Sequence, residues 1–172
     1  MREWFLCLIE VKGNFYINMG IRNGRIFVQP IFTLTLRSED AEILKMLKEE
    51  IGAGESRIGK KAVFVVRGIK NLEKFLSVID EKKFLTSRKK DFILWKEAIQ
   101  LVKEFKHLTK EGILRICEIR DMMNLKKKRK NYKSKEFFER IINKLNMGFE
   151  NEEKRSKISS SLRRTYSMGI SI

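Results

Sequence analysis

Residues 5–17 read FLCLIEVKGNFYI, and the periodicity of the sequence changes at Gly13 within this stretch. Glu3 to Lys12 predicts a short helix that is apolar nearly all round and should therefore be buried. Gly13 is a usual residue at the end of a helix. From Asn14 to Arg22 apolar and polar residues alternate, which predicts a strand with one buried face. The sequence thus predicts a helix joined directly to a strand.

The chain after this junction predicts two hairpins separated by a helix, and then further helices. Asn23-Gly24 is a strong signal for a hairpin turn, and Gly59-Lys60-Lys61 marks a second turn. The predicted strands are Asn14–Arg22, Arg25–Arg37, Glu55–Ile58 and Ala62–Arg67. The helices predicted after the first are Glu39–Ile51 with a Ser38 cap, Asn71–Ile79, Lys89–Phe105, Thr109–Met123 and Glu136–Leu145. This order predicts an α+β fold in which an antiparallel sheet packs on helices.

Length and composition predict one domain with a short appendage. The chain has 172 residues, 42% of them hydrophobic, and a single proline, which is typical of a folded protein. After Asn124 the sequence turns into the basic run LKKKRKNYKSK. We therefore predict a domain at residues 1–124 and a basic C-terminal extension at 125–172.

Isolated Cys and His residues argue against a metal site or a secreted protein. Cys7 and Cys117 lie in apolar, helix-like stretches and are predicted to be core residues in a reducing compartment. His107 lacks a Cys or His at ligand spacing and is predicted to be a helix-cap or surface residue. The apolar run Trp4–Ile9 is too short to span a bilayer and is followed by charge. These features predict the cytoplasm or the interior of an organelle, with no membrane partner.

The net charge is the strongest compositional signal for a partner. Lys and Arg number 38 against 22 acidic residues, which gives a formal net charge of +16. A field of this sign attracts polyanions, and nucleic acid is the leading candidate. A lysine-rich surface that only improves solubility, or one that binds an anionic membrane, is the alternative.

The polar face of the predicted sheet is rich in side chains that can contact nucleic acid. Arg, Asn and Gln reach base edges, Thr contacts thymine methyl groups, and Lys neutralises phosphates. A face that is merely solvated would carry more Glu and Asp side chains, whereas Glu55 is the only acidic residue among these positions. The predicted contacts on or beside the face are Asn14, Tyr16, Asn18, Arg22, Arg25, Gln29, Thr33, Thr35, Arg37, Arg57, Lys60, Lys61 and Arg67.

The basic run after Asn124 predicts phosphate contacts that do not read sequence. Residues 126–135 include seven cations in ten positions, a density that makes binding strongly salt-dependent. A localisation signal or a solvated linker is the alternative. The predicted phosphate contacts in this run are Lys126, Lys127, Lys128, Arg129 and Lys130.

Three segments, in order, resemble the single-motif LAGLIDADG homing endonucleases. FLCLIEVKGNFYI at residues 5–17 resembles the motif and its first strand, and FTLTLRSED at 32–40 resembles the end of the second strand. LTSRKKDFILWKEAIQLVKEFKHLTKEGILRICEIRDMMN at 85–124 is similar to the family's C-terminal third. The tail NEEKRSKISSSLRRTYSMG also resembles a small DNA-binding motif associated with nucleases.

The resemblance implies an αββαββα fold with a saddle-shaped sheet over double-stranded DNA, and a homodimer formed through the first helix. It also implies magnesium-dependent cleavage of both strands at an intron-insertion site. The dimer helix carries Phe5, Leu6, Cys7, Leu8, Ile9 and Val11.

The chain departs from the family at its catalytic positions. Lys12 stands where the family has its metal-binding acid, and an ammonium group cannot ligate a divalent cation. Glu10, two residues earlier, points to another side of the helix. Leu36 replaces a glutamine that organises water, and Arg88 stands where a lysine is expected.

These departures predict a sequence-specific nucleic-acid-binding protein with impaired cleavage. An active magnesium-dependent endonuclease is one alternative, in which Lys12 is either an engineered change that blocks cleavage or a natural variant that uses Glu10. A splicing maturase for structured intron RNA is another. An assembly factor with an adhesive basic surface is the third.

Overall fold

The computed structural model describes residues 3–123 and 132–144. Within them, α-helices and strands follow the order α1, β1, β2, α2, β3, β4, α3, α4, α5, α6. The helices are α1 Glu3–Lys12, α2 Ala41–Ile51, α3 Ile69–Val78, α4 Arg88–Lys103, α5 Lys110–Met123 and α6 Lys135–Lys144. The strands are β1 Gly13–Arg22, β2 Arg25–Arg37, β3 Glu55–Ile58 and β4 Lys61–Arg67.

The four strands form one antiparallel sheet in the order β1-β2-β4-β3. The two predicted hairpins therefore join through β2 and β4, where Phe32 lies opposite Val66. This confirms the predicted α+β class and the αββαββα order. No helix among the described residues is long and apolar enough to cross a bilayer.

The hydrophobic core lies between one face of the sheet and the helices, and aromatic rings fill its centre. The ring centroids of Phe32 and Phe75 are 4.5 Å apart, and those of Phe15 and Trp95 are 5.0 Å apart. Alternation along β1 and β2 places Phe15 and Phe32 on the same side of the sheet, as the period of two requires. Burial of such rings contributes about 1.5–3 kcal/mol each.

Gly13 makes the direct junction between α1 and β1 possible. A Cβ atom at this position would lie 2.3 Å from the carbonyl oxygen of Ile9 and 2.8 Å from the ring of Phe32. Only glycine lets the strand leave the end of the helix this close to the core. The predicted junction between helix and strand is thus a closely packed turn of the chain at Gly13.

Most predicted element boundaries lie within two residues of the observed ones, and two turns differ in kind. Residues Ser38–Asp40 form a 3₁₀ turn, so α2 begins at Ala41 and the predicted Ser38 cap is wrong. The second hairpin turn is shorter than predicted, because Lys61 pairs with Arg37 as the first residue of β4.

Helix α6, which lies within the predicted extension at 125–172, packs against the core of the domain. Phe138 and Ile142 are buried in the same cluster as the residues of the sheet. Arg120 of α5 lies over the ring of Tyr132 at 4.4 Å and donates a hydrogen bond to the carbonyl oxygen of Lys133. The predicted phosphate contacts at 126–130 and the tail after 144 lie outside the described residues.

Burial corrects the predictions for two isolated residues. His107 was expected at a cap or on the surface, but it is buried in a 3₁₀ turn between α4 and α5. Cys7 was expected in the core, but it is exposed, whereas Cys117 is buried as predicted.

Candidate nucleic-acid interface

The sheet face opposite the helices gathers most of the predicted nucleic-acid contacts. Register places Asn14 beside Thr33, Asn18 beside Gln29, and Arg22 beside Arg25 across β1 and β2. Thr35 continues this face through Val63 of β4 to Arg57 of β3. Strand pairing therefore brings polar residues that are far apart in sequence onto one surface. The predicted contacts on this face are Asn14, Tyr16, Asn18, Arg22, Arg25, Gln29, Thr33, Thr35, Arg37, Arg57, Lys61 and Arg67.

Glu55 divides the basic side chains of this face into two groups. Arg67 donates two hydrogen bonds to its carboxylate, at 3.1 and 3.3 Å, and Arg57 lies 3.6 Å from the same group. Arg22 instead lies over the ring of Phe27, 5.3 Å from its centroid. Arg57 and Arg67 are thus ion-paired within the chain, whereas Arg22 keeps its charge available to a partner.

Apolar residues also occupy the outer face, and sequence analysis missed their role. Phe27, Ile31, Val63 and Val65 alternate with core residues along β2 and β4, so they point away from the helices. Ile31 is buried between Tyr16 and Arg67 even on this side of the sheet. Apolar side chains at such positions can contact thymine methyl groups. The strict alternation of residues 61–67 was the available signal.

A cleft opens beside the end of α1, where β2 ends and β4 begins, and it contains the predicted catalytic position. Its volume is about 480 Å³, and Lys12 lies in its lining. Lys60, from the turn between β3 and β4, and Lys61, the first residue of β4, add further positive charge to the cleft. Leu36 also lines it, but its side chain packs partly against the core and offers no polar group. Glu39 and Asp40, which sequence analysis did not consider, lie at the same cleft.

Arg88 is the first residue of α4, and the cleft lining does not include it. Its guanidinium lies 3.7 Å from the carboxylate of Asp91. Partial burial raises the pKa of Asp91, while the positive charges of Arg88 and Lys90 act in the opposite direction. Arg88 thus forms an ion pair with Asp91, which lies one turn further along the same helix.

Glu10 lies away from the cleft and is held by another part of the chain. It is only 5% exposed, and its Oε1 atom accepts hydrogen bonds from the backbone nitrogens of Leu85 and Thr86 at 2.9 and 2.8 Å. The Thr86 hydroxyl donates a third bond to the same oxygen at 2.8 Å. This carboxylate anchors the loop before α4, and its geometry does not support the alternative in which Glu10 replaces the missing acid.

The residues at the end of α1 do not fit a divalent cation. The ammonium of Lys12 is a donor, not a ligand, and Glu10 is occupied by the loop. Across residues 3–123 and 132–144, no three His, Cys, Asp or Glu side chains lie close enough together to hold an ion. The side chains present thus disagree with the magnesium site that the resemblance implies.

Only part of the predicted dimer helix is accessible. Phe5, Leu6 and Ile9 are buried in the core of their own chain, so they cannot form a surface for a second one. The accessible apolar stripe is Trp4, Cys7, Leu8 and Val11, with Trp4 41% and Val11 68% exposed. Sequence analysis missed Trp4, although the spacing i, i+3, i+4, i+7 places these four residues on one helical face.

Comparisons with known proteins identify the family of this chain. A family model described as LAGLIDADG endonuclease matches residues 7–99. Probable intron-encoded endonuclease 3 of Neurospora crassa is 30% identical over 125 residues, which are 69% of this chain and 24% of that protein. The chain thus spans about a quarter of the length of this relative.

Two solved structures share the fold. The homing endonuclease I-TnaI has a TM-score of 0.68 and 22% identity, and the match covers 83% of this chain and 96% of that one. The LAGLIDADG homing endonuclease I-GzeII, in complex with its DNA target, has a TM-score of 0.67 and 26% identity. That match covers 73% of this chain and 45% of the other. The sequence match over residues 7–99 and the shared fold show that this chain belongs to the LAGLIDADG endonuclease family.

Proposed function

We propose that this protein binds double-stranded DNA sequence-specifically through the outer face of its sheet, and that it does not cleave DNA efficiently. The face presents hydrogen-bond donors and acceptors in paired rows, beginning with Asn14 and Thr33. Such rows suit the edges of base pairs in the major groove. The structural neighbour I-GzeII was solved in complex with its DNA target, which supports duplex DNA as the ligand.

The observation that carries the loss of cleavage is Lys12 at the last residue of α1. It is exposed in the cleft, and no carboxylate replaces it from α1, since Glu10 is buried under the loop. Leu36 adds no polar atom to order a water molecule. The carboxylates of Glu39 and Asp40 also line the cleft, but the four cations around them leave an excess of positive charge that disfavours a divalent cation.

Pairing of two units through α1 is part of this proposal. The stripe formed by Trp4, Cys7, Leu8 and Val11 is apolar and accessible, which is typical of a surface that another protein covers. The chain corresponds to nearly all of one structural neighbour and to about half of another. A unit that occurs both alone and as one half of a longer chain supports side-by-side pairing. A second copy of this chain is the partner we propose.

The relatives' names support an origin within an intron and a reducing compartment such as an organelle interior. The Neurospora crassa relative is named as intron-encoded. Cys7 and Cys117 are both free thiols, and Cys7 is exposed, which suits a reducing environment.

Selection from a random pool of duplexes, followed by a cleavage assay, tests this function. The selected duplex is incubated with the wild-type protein and magnesium, and we expect retained binding with both strands intact. Lys12→Asp should gain magnesium-dependent nicking, whereas the matched control Lys110→Asp, at an exposed site on α5, should not. Double-strand breaks made by the wild-type protein would overturn the proposed loss of cleavage.

Competition separates DNA binding from the other candidate functions. The selected duplex should compete far better than random duplex, because base contacts add to the non-specific phosphate term. Tighter binding to a folded intron RNA would favour a maturase. Equal competition by every polyanion would favour an adhesive assembly factor.

A further inference from the structure

We propose that the cleft at the end of α1 binds a backbone phosphodiester directly through Lys12, Arg37, Lys60 and Lys61, with no divalent cation between protein and phosphate. This inference rests on the proposed nucleic-acid binding and deepens it. It assigns a ligand to the position at which the chain's side chains do not fit a metal ion.

The sheet topology brings these four side chains together from three places in the sequence. Lys12 ends α1, and Arg37 ends β2 opposite Lys61, the first residue of β4. Lys60 lies in the adjoining turn between β3 and β4. All four residues are exposed and line the same cleft of about 480 Å³. Strand pairing creates this arrangement. Lys12 is far from the other three cations in sequence, so no local sequence pattern predicts that they lie together.

The charge of the cleft favours an anion. Four cationic side chains against the two carboxylates of Glu39 and Asp40 leave an excess of two positive charges. Within the described part of the chain, none of the four cations lies within ion-pair distance of a carboxylate, in contrast to Arg67 with Glu55. Ammonium and guanidinium groups without internal partners are the groups with which proteins hold phosphates.

Hydrogen-bond donors in the cleft add a second reason to expect a phosphate. The hydroxyls of Thr35 and Ser38 line the cleft beside the cations. Hydroxyl and cationic donors together are common partners of backbone phosphate oxygens in protein–DNA interfaces. The position of the cleft at the edge of the outer face would place a phosphate next to bases contacted by residues such as Thr35.

Salt dependence of duplex binding measures the number of phosphates that the protein neutralises. The binding constant of the wild-type protein for a random-sequence duplex is measured over a range of sodium chloride concentrations, in EDTA and in magnesium at matched ionic strength. We expect magnesium to give no gain in affinity. The double variant Lys12→Ala/Lys61→Ala should reduce the slope of log binding constant against log salt by about 0.9, the value for one phosphate, and each single variant should reduce it by less.

The control variant Lys110→Ala removes an exposed cation outside the cleft and should keep the wild-type slope. All three positions are exposed, so urea unfolding should show unchanged stability and exclude misfolding as a cause. A wild-type slope in the double variant, or tighter wild-type binding with magnesium, would overturn the direct phosphate contact while leaving DNA binding intact. Absence of any duplex binding by the wild-type protein would overturn the proposed function and this inference together.

Discussion

The backbone nitrogen of Thr86 donates a hydrogen bond to the carboxylate of Glu10 at 2.8 Å, across 76 positions of sequence. The Thr86 hydroxyl donates to the same oxygen and also accepts a bond from the backbone nitrogen of Arg88 at 3.2 Å. Glu10 thus fixes the start of α4 against the C-terminal half of α1. Glu10, two residues before the predicted catalytic position at Lys12, therefore has a structural role in this chain.

Glu10→Ala should destabilise the fold by about 1–3 kcal/mol, because it removes the acceptor of two part-buried hydrogen bonds from the backbone nitrogens of Leu85 and Thr86. Urea unfolding measures the loss, and hydrogen exchange should become faster at the amides of Leu85 and Thr86. Glu10→Gln, which keeps an acceptor oxygen, should lose less.

Glu49→Ala is the matched control, since Glu49 is an exposed acid on α2. Its effect should stay within about 0.5 kcal/mol. Equal stability of Glu10→Ala and Glu49→Ala would contradict the anchoring role.

Val11→Glu should separate paired chains into single ones. Val11 is 68% exposed at the C-terminal end of the apolar stripe, and a charge there would have to be desolvated on association. Sedimentation should give the mass of two chains for the wild-type protein and of one chain for the variant. Met46→Glu, at an exposed apolar residue of α2, should leave the mass unchanged. A wild-type protein that stays single at every concentration would contradict pairing of two copies.

Because His107 is buried, we expect the free energy of unfolding to decrease in mild acid. Burial lowers the pKa of His107 to about 4, although the backbone carbonyls of Leu101 and Val102 act in the opposite direction. In the unfolded chain a histidine has a pKa of about 6.5, so the unfolded state takes up the proton first as the pH falls. The free energy of unfolding should therefore be highest above pH 6.5 and fall between 6.5 and 4, by roughly 3 kcal/mol in total.

The variant His107→Phe isolates this contribution, because other groups titrate over the same range. Urea unfolding of both proteins at neutral pH and near pH 4.5 gives the two losses. The loss in the variant should be smaller by about 2–3 kcal/mol. Equal losses would mean that His107 is not held neutral in the folded state.

Phe138→Ala should show that α6 is part of the folded domain. Its ring is fully buried, and removal of a core phenylalanine costs about 3–5 kcal/mol. Urea unfolding should lose this amount in a single transition that includes the sheet. Phe137→Ala, at the half-buried neighbouring ring, should cost less. A wild-type midpoint for Phe138→Ala would restore the separate C-terminal appendage that composition suggested.

Periodicity predicted the elements of this fold because apolar and polar residues alternate clearly along β1 and β2. It could not predict which face of α1 is buried, since Phe5, Cys7 and Val11 are all apolar. Only the packing of α1 on the sheet distinguishes Phe5, which faces the core, from Val11, which faces outward. The composition around Phe138 likewise did not predict its burial, because the surrounding residues are mostly charged.

The candidate site was predictable in its composition but not in its connections. Alternation alone placed Asn14 and Thr33 on the polar face, and strand pairing put them side by side. The hydrogen bonds of Glu10 depend on a loop that lies far away in sequence, so no local pattern signals them. The same holds for the cleft, where Lys12 meets Lys61 through the pairing of β2 with β4.

No loop separates α1 from β1, because the strand begins at Gly13 directly after the helix. A rotation of α1 therefore also moves the first residues of β1. A protein that covers Val11 and a nucleic acid that contacts Asn14 therefore act on one continuous piece of backbone. Their binding free energies are expected to be coupled. By thermodynamic reciprocity, the factor by which pairing strengthens DNA binding equals the factor by which DNA strengthens pairing. Subunit concentration would then set the occupancy of a target sequence as directly as the quality of its bases.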